Sequence, residues 1–221
     1  MKLGENLNKT FGKVIVKNLR EAPKRLNNFK KYADAINLDY EVYDAIYGKM
    51  FVPKDYEFYN CPSGWLKSPD SQYLFGYHLS FIGALMQAIS KRQSSFIICD
   101  DDTEFLDIDL TFIKDHLPED WDAIQLGTIQ NINNNKELSF RKITSPIDIQ
   151  GSHCVAINWK AYFKILLACF KFNENNDGRQ AGKIGDGLYH RLAEDGQINF
   201  YQMTPDISRQ NRTSLIPGII I

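Results

Sequence analysis

Residues 13–19 place the β-branched run Val14-Ile15-Val16 between polar ends, and Pro23 follows, with Leu26, Phe29, Ala33 and Ile36 at intervals of three and four. The first pattern predicts a strand. The second predicts a helix opening on proline, whose missing N–H costs nothing in a first turn. Leu38 to Val42 alternates apolar and charged positions, which predicts a half-buried strand before a turn at Gly48. Phe75, Leu79, Ile82, Leu85, Met86 and Ile89 recur at helical spacing and predict an amphipathic helix over 73–89. Ser95 to Cys99 is a short continuous apolar run of the kind that makes a buried central strand, and it leads straight into Asp100, Asp101 and Asp102. Trp121 to Gly127 and His153 to Ile157 read as further strands, the second running into a helix over 159–170. A short helix after residue 187, a strand over 198–201 and an irregular tail complete the chain. The Pro- and aromatic-rich stretch 51–71 and the polar stretches 131–135 and 173–187 read as loops.

Strands alternating with helices in this order predict an α/β fold: a single domain over 1–221, with a mixed, mostly parallel central sheet flanked by helices. At 221 residues and 43% hydrophobic content the chain can bury a sizeable core. Its 26 basic and 27 acidic side chains give 26 − 27 = −1, so the overall balance points to no general attraction for nucleic acid or membrane, which leaves only a local patch open. Cys61, Cys99, Cys154 and Cys169 form no CxxC pair and no metal-ligand spacing, which fits a reducing compartment. The opening residues carry no signal-peptide pattern, and no apolar run approaches the roughly 20 residues of a membrane helix. A cytoplasmic location and no integral membrane segment are the expectations.

The acidic triplet is where chemistry concentrates. In open α/β sheets ligands bind beyond the carboxyl ends of the strands, where Asp100, Asp101 and Asp102 are expected. Adjacent carboxylates repel one another, and a hard divalent cation turns that repulsion into binding. An ordinary solvated turn capping the next element stands equally open from these residues alone. An EF-hand starting at Asp100 would need Gly at Phe105 and Glu at Thr111, and both are wrong. A phosphatase strand ending in Asp-x-Asp-x-Thr is poorly matched, since Thr103 falls one place early and Glu104 occupies the threonine position. Neither GxGxxG nor GxxxxGK[ST] occurs.

Val14-Ile15-Val16-Lys17-Asn18-Leu19-Arg20 with Arg25, the Ala45-Ile46-Tyr47-Gly48-Lys49 turn, Leu79-Ser80-Phe81 and Cys99-Asp100-Asp101-Asp102 occur in the same order as in glycosyltransferase family 25, the lipooligosaccharide and collagen sugar transferases. The likeness extends through Asp122 to Gly127 and Gly151-Ser152-His153 to Gly185-Asp186, and then Pro205, Gln210 and Ser214. Phe81 stands where that family has histidine, Asp100 where it has glutamate, and Leu215 where its tail has aspartate. The resemblance implies a GT-A-like, Rossmann-like fold and an inverting transfer of galactose or glucose from a UDP-sugar to a glycan, lipid-linked or protein acceptor. In this reading Asp100 and Asp102 hold Mn²⁺ or Mg²⁺, with His153 or His190 as a further ligand, and Asp101 contacts the ribose. Asn18, Leu19, Arg20 and Arg25, with Gly151, line the nucleotide site, and Asp186 is the candidate base. Gln210 and Ser214 would lie on a closing tail, and Tyr56, Tyr59 or Trp65 would stack on a sugar. A phosphatase or phosphotransferase using the same strand end, and a sugar-nucleotide binding module without catalysis, are the competing classes.

Overall fold

The structure is a computed structural model and describes residues 2–50, 69–106, 108, 113–128, 137–144, 151, 153–170 and 186–211. Most of the expected loops 51–71, 131–135 and 173–187, with Tyr56, Tyr59, Cys61, Trp65, Ser214 and Leu215, lie outside the described residues.

A seven-stranded sheet organises the chain. Its strands are β1 (Val14–Asn18), β2 (Tyr40–Asp44), β3 (Ser95–Asp100), β5 (Ala123–Gln125), β6 (Ser139–Lys142), β7 (Cys154–Asn158) and β8 (Phe200–Thr204), in the spatial order β2-β1-β3-β7-β5-β8-β6. β1 runs parallel to β2 and to β3. β7 is antiparallel to both β3 and β5, so β5 shares the direction of β3, and β8 runs parallel to β5. Only β7 and β6 therefore oppose the rest, and the expected mixed, mostly parallel α/β sheet is present. A separate two-stranded ladder joins β4 (Thr103–Phe105) to β9 (Ser208–Gln210).

Helices cover both faces. α1 (Leu3–Phe11) and α2 (Pro23–Ala35) pack on one side through Leu3, Leu7, Phe11, Phe29 and Ala33. α3 (Pro69–Ser90), α4 (Trp159–Phe170) and α5 (Asp186–Glu194) pack on the other through Phe81, Leu85, Ile165, Leu188 and Tyr189. The sheet between them is dry: Val14, Ile15, Val16, Phe96, Ile97, Ala156 and Ile157 have no exposure, each large one contributing about 1.5–3 kcal/mol of transfer free energy.

Several elements depart from expectation. Leu3, Leu7 and Phe11 place an amphipathic helix where only the lack of a leader was read. Asn8 fastens it, its Nδ2 donating to the carbonyls of Gly12 at 3.0 Å and Asp39 at 2.9 Å, while the Asp39 amide donates back to Asn8 Oδ1 at 2.7 Å. The central helix starts at Pro69 rather than 73, because proline fits a first turn as well as it fits a loop. The second strand is shifted to Tyr40–Asp44 and the fifth is shortened to Ala123–Gln125. The tail is not irregular throughout, since β8 continues to Thr204 and β9 follows.

The Ala45 to Lys49 turn owes its geometry to two glycines. A Cβ on Gly76 in α3 would lie 2.6 Å from the Gly48 amide and from the Ile46 carbonyl, and one on Gly48 would overlap the Gln72 carbonyl at 1.7 Å. Ser80 locks the crossing, its hydroxyl donating to the Gly76 carbonyl at 2.6 Å and accepting the Ile46 amide at 2.8 Å. In an exposed helix Gly→Ala gains about 1 kcal/mol. At Gly76 we expect the opposite sign, a loss of about 1–3 kcal/mol measured by urea denaturation; a stabilised Gly76→Ala would show that the turn is not held against this helix.

Candidate functional site

The chain switches sides of the sheet between β1 and β3. The helix after β1 lies on one face and the helix after β2 on the other, so the crevice between them opens at the carboxyl ends of β1 and β3. β1 ends in Lys17-Asn18 and β3 runs into Asp100-Asp101-Asp102, with Lys17 paired in register to Asp100.

These side chains form one buried ionic network. Lys17 Nζ lies 2.8 Å from Asp100 Oδ1 and 3.7 Å from the centroid of the Tyr77 ring. Burial works against the Lys17 charge, but Asp100 and Tyr77 outweigh it and raise its pKa above the ordinary lysine value. Arg25, projected from the first turn of α2, reaches Asp101 Oδ1 at 2.6 Å and Asp102 Oδ2 at 2.8 Å. Asn18 Nδ2 donates to Asp101 Oδ2 at 2.6 Å and to the Ala22 carbonyl at 3.2 Å, which ties the acids to the turn after β1. Gln210 Nε2 donates to Asp102 Oδ2 at 3.1 Å, and the Asn211 amide donates to the Asp102 carbonyl at 2.8 Å.

Among the described residues three carboxylates face two cations, a formal balance of 2 − 3 = −1 in a nearly dry site. The excess falls on Asp102. Desolvation first, and then the neighbouring Asp100 charge, push its pKa up to about 6 against the pull of Arg25 and Gln210. Its Oδ1 is buried with no hydrogen-bond partner among the described residues. Asp101 is raised for the same first reason, with Arg25 and Asn18 opposing.

His153 faces Asp100 across the β3–β7 ladder, where the Asp100 amide donates to the His153 carbonyl at 2.9 Å. The Thr103 hydroxyl donates to the same carbonyl at 2.9 Å. Its ring lies with Nε2 3.3 Å from Ser208 Oγ, and Nδ1 has no partner among the described residues. Burial lowers the His153 pKa, so the neutral imidazole is favoured. Gly151, two residues before, has φ +100°, a conformation that favours glycine, and its carbonyl accepts Gln125 Nε2.

Of the residues singled out from sequence, the structure brings Asn18, Arg25, Asp101 and Asp102 into direct contact, with Asp100 beside them on Lys17 and His153 at their edge. Leu19 is half-buried, and its carbonyl accepts the Ala22 amide at 2.8 Å, closing the turn. Arg20 points away to pair with Asp44 and is 78% exposed. His190 packs edge-on against Phe200, the first residue of β8, at the opposite end of the sheet from the acids. Asp186 opens α5, and its side chain lies outside the described residues. Sequence reasoning missed Lys17; the available signal was a lysine inside an apolar strand directly before the Asn-Leu turn.

Among the described residues no three His, Cys, Asp or Glu side chains converge as a metal-binding group. The residues nevertheless fit a hard divalent cation of the kind that takes one or two carboxylates and completes its shell with phosphate oxygens and water. Their balance is negative, their donors are oxygen, and Asp102 Oδ1 has no hydrogen-bond partner among the described residues.

No protein-family model and no curated protein matches the chain. In structure it is similar to a protein from STIV at 12% identity and TM-score 0.41, over 86% of this chain and 80% of the other. It is similar to a glycosyltransferase involved in the glycosylation of the major capsid of PBCV-1, at 11% identity and TM-score 0.41, over 74% and 68%. A nucleoside-diphosphate-sugar pyrophosphorylase from Vibrio cholerae is similar at 12% identity and TM-score 0.43, over 86% and 70%. At these values the neighbours assign no activity.

The raised Asp102 pKa carries a stability signature. Its folded value, about 6, exceeds the ordinary 3.8, so this carboxyl stabilises the fold when protonated, below about pH 4, and that contribution is lost as pH rises through 6. In metal-free buffer Asp102→Asn is therefore expected to gain about 1–3 kcal/mol over wild type at pH 7, with the gap closing towards pH 4. Urea denaturation at both pH values checks this; an equal gap at both would mean that Asp102 ionises normally.

Proposed function

We propose that the chain is a glycosyltransferase that takes its sugar from a nucleoside-diphosphate donor at the β1–β3 crevice. The observation that carries this reading is the surplus negative charge of Asp100, Asp101 and Asp102 at a sheet switch point, with one carboxylate oxygen, Asp102 Oδ1, left without a partner among the described residues. Asp100 and Asp102 would hold Mn²⁺ or Mg²⁺ as the two carboxylate ligands. When bound, the cation supplies Lewis-acid neutralisation of the diphosphate as the leaving group departs.

The chain's own residues do the rest. Asn18 and Arg25 hold Asp101 from both oxygens, fixing it as an acceptor for a ribose hydroxyl. Arg25 also has the donors to turn towards a phosphate, a role in which a planar guanidinium exceeds lysine. The turn of Leu19 and Arg20, with the Gly151 backbone, borders the nucleotide. Lys17 holds the Asp100 carboxylate in place through their 2.8 Å ion pair. Asp186, at the first position of α5, is the proposed base that takes the acceptor hydroxyl's proton in an inverting transfer. A UDP-sugar carrying galactose or glucose is the first donor to test, and a hydroxyl on a glycan, lipid-linked or protein acceptor is the receiving group. A cytoplasmic location belongs to the same reading.

Titration of UDP into wild type and Asp102→Ala by calorimetry, each with and without Mn²⁺, tests the donor site. Wild type is expected to bind only with Mn²⁺, and the variant to lose at least about 2 kcal/mol, roughly 30-fold in affinity. Wild type that binds no UDP under any condition would return the triplet to a structural role. Asp186→Asn is expected to keep UDP affinity while UDP-sugar turnover falls by about 10²–10⁴-fold; unchanged turnover removes Asp186 as the base.

A further inference from the structure

Helix α4 carries a surface that its role in the fold does not use. Ala161, Tyr162, Ile165 and Cys169 face the core, and Tyr162 packs edge-on against Phe96. On the outer side Trp159 is 60% exposed, Phe163 66%, Leu167 59% and Phe170 58%. At 100° per residue these four fall within one stripe less than a quarter-turn wide. Lys160 and Lys164, both exposed, line one border of the stripe, Lys164 with its Nζ 3.7 Å from Asp122 Oδ2, and the helix has no acidic residue. α3, packed beside it, exposes Met86 at 53%.

Isolated exposed apolar side chains are ordinary, but four large ones aligned on a single helix make a contact surface. We propose that this face docks on an anionic lipid bilayer. The occupant follows from composition and charge. Trp, Phe and Leu on one face with lysines beside them, on a helix too short to cross, is the pattern of a helix lying in the headgroup region. Among the described residues no helix is long and apolar enough to span. A second copy of the chain is disfavoured by charge, because two such faces in contact would set lysines against lysines. Lipid phosphates provide the opposite sign.

The placement relative to the acids also follows. β7 ends at Asn158, opposite Ser95 at the start of β3, so α4 begins at the end of the sheet remote from the acids and returns towards them. Its last turn arrives there: the Cys169 carbonyl lies 3.1 Å from His78 Nε2, one residue from Tyr77, whose ring lies against Lys17. Docked through α4, the molecule would rest on its flank with the crevice edge near the lipid surface. The proposal does not depend on what the acid cluster catalyses.

Flotation with vesicles of phosphatidylcholine alone, or of phosphatidylcholine with about 30% phosphatidylglycerol, tests it. Wild type is expected to float with the anionic vesicles, to weaken as salt rises, and to show a blue-shifted fluorescence component that Trp159→Phe removes. Phe163→Ser with Leu167→Ser, which touches neither core nor acids, should reduce binding about tenfold or more with unchanged thermal unfolding, and Lys160→Glu should remove the preference for anionic lipid. No flotation with anionic vesicles overturns the proposal. So does a dimer in sedimentation velocity that the paired substitution dissolves while vesicle binding stays absent.

Discussion

Confining three carboxylates with two cations at the end of a dry sheet is the constraint around which this structure is arranged. Removing Lys17 or Arg25 would leave the acids without a counter-charge at a cost of about 3–5 kcal/mol, so the positions of these two cations are tightly required. That requirement reaches outward. Lys17 must sit in a strand parallel to β3 and in register with Asp100, and Arg25 must sit on the helix that follows it. Asn18 closes the angle between them by bonding Asp101 and the Ala22 carbonyl together. The turn after β1 is thus shaped by charge as much as by packing.

A second ring of contacts holds the acid loop from the opposite side. Thr103 donates to the His153 carbonyl, Arg209 Nε bonds Glu104 at 2.8 Å, and Asn211 bonds both Glu104 and the Asp102 carbonyl. Glu104, which occupies the threonine position of the poorly matched phosphatase pattern, is therefore engaged in fastening β4 to β9. Near Asp206, whose Oδ2 accepts the Thr128 hydroxyl at 2.7 Å, the same end of the sheet remains polar and enclosed. A site that must discriminate charge states benefits from such a low-dielectric setting, where each added or removed charge has a large effect.

The parts of this fold that could be read in the sequence were those in which one physical signal dominates. β1, β3 and β7 are continuous apolar runs, and α2, α3 and α4 keep a helical period, so burial alone announces them. β4 and β9 are three-residue strands, Thr103–Phe105 and Ser208–Gln210, with no apolar alternation; they exist because each pairs with the other, a relation no local window contains. β6 is exposed or half-exposed along its whole length at the sheet edge and is equally silent. At the site, the acids were legible because three in a row are conspicuous, and Asn18 and Arg25 entered through the family likeness. Lys17 was passed over because a lysine in a strand usually faces water, and only the register with Asp100 reveals otherwise.

The acid loop is assembled from segments far apart in the chain: residues 17–25, 100–104, 153 and 208–211. During synthesis on the ribosome the first acids emerge long before Gln210 and Asn211 can reach them, and the antiparallel β7 must insert between β3 and β5 in the meantime. Contacts of such long sequence separation form late and slowly. A nascent chain therefore carries an incomplete, charge-frustrated cluster until residue 211 has been added. The order in which the chain is translated delays the assembled site until its last contributing segment, residues 208–211, has been made.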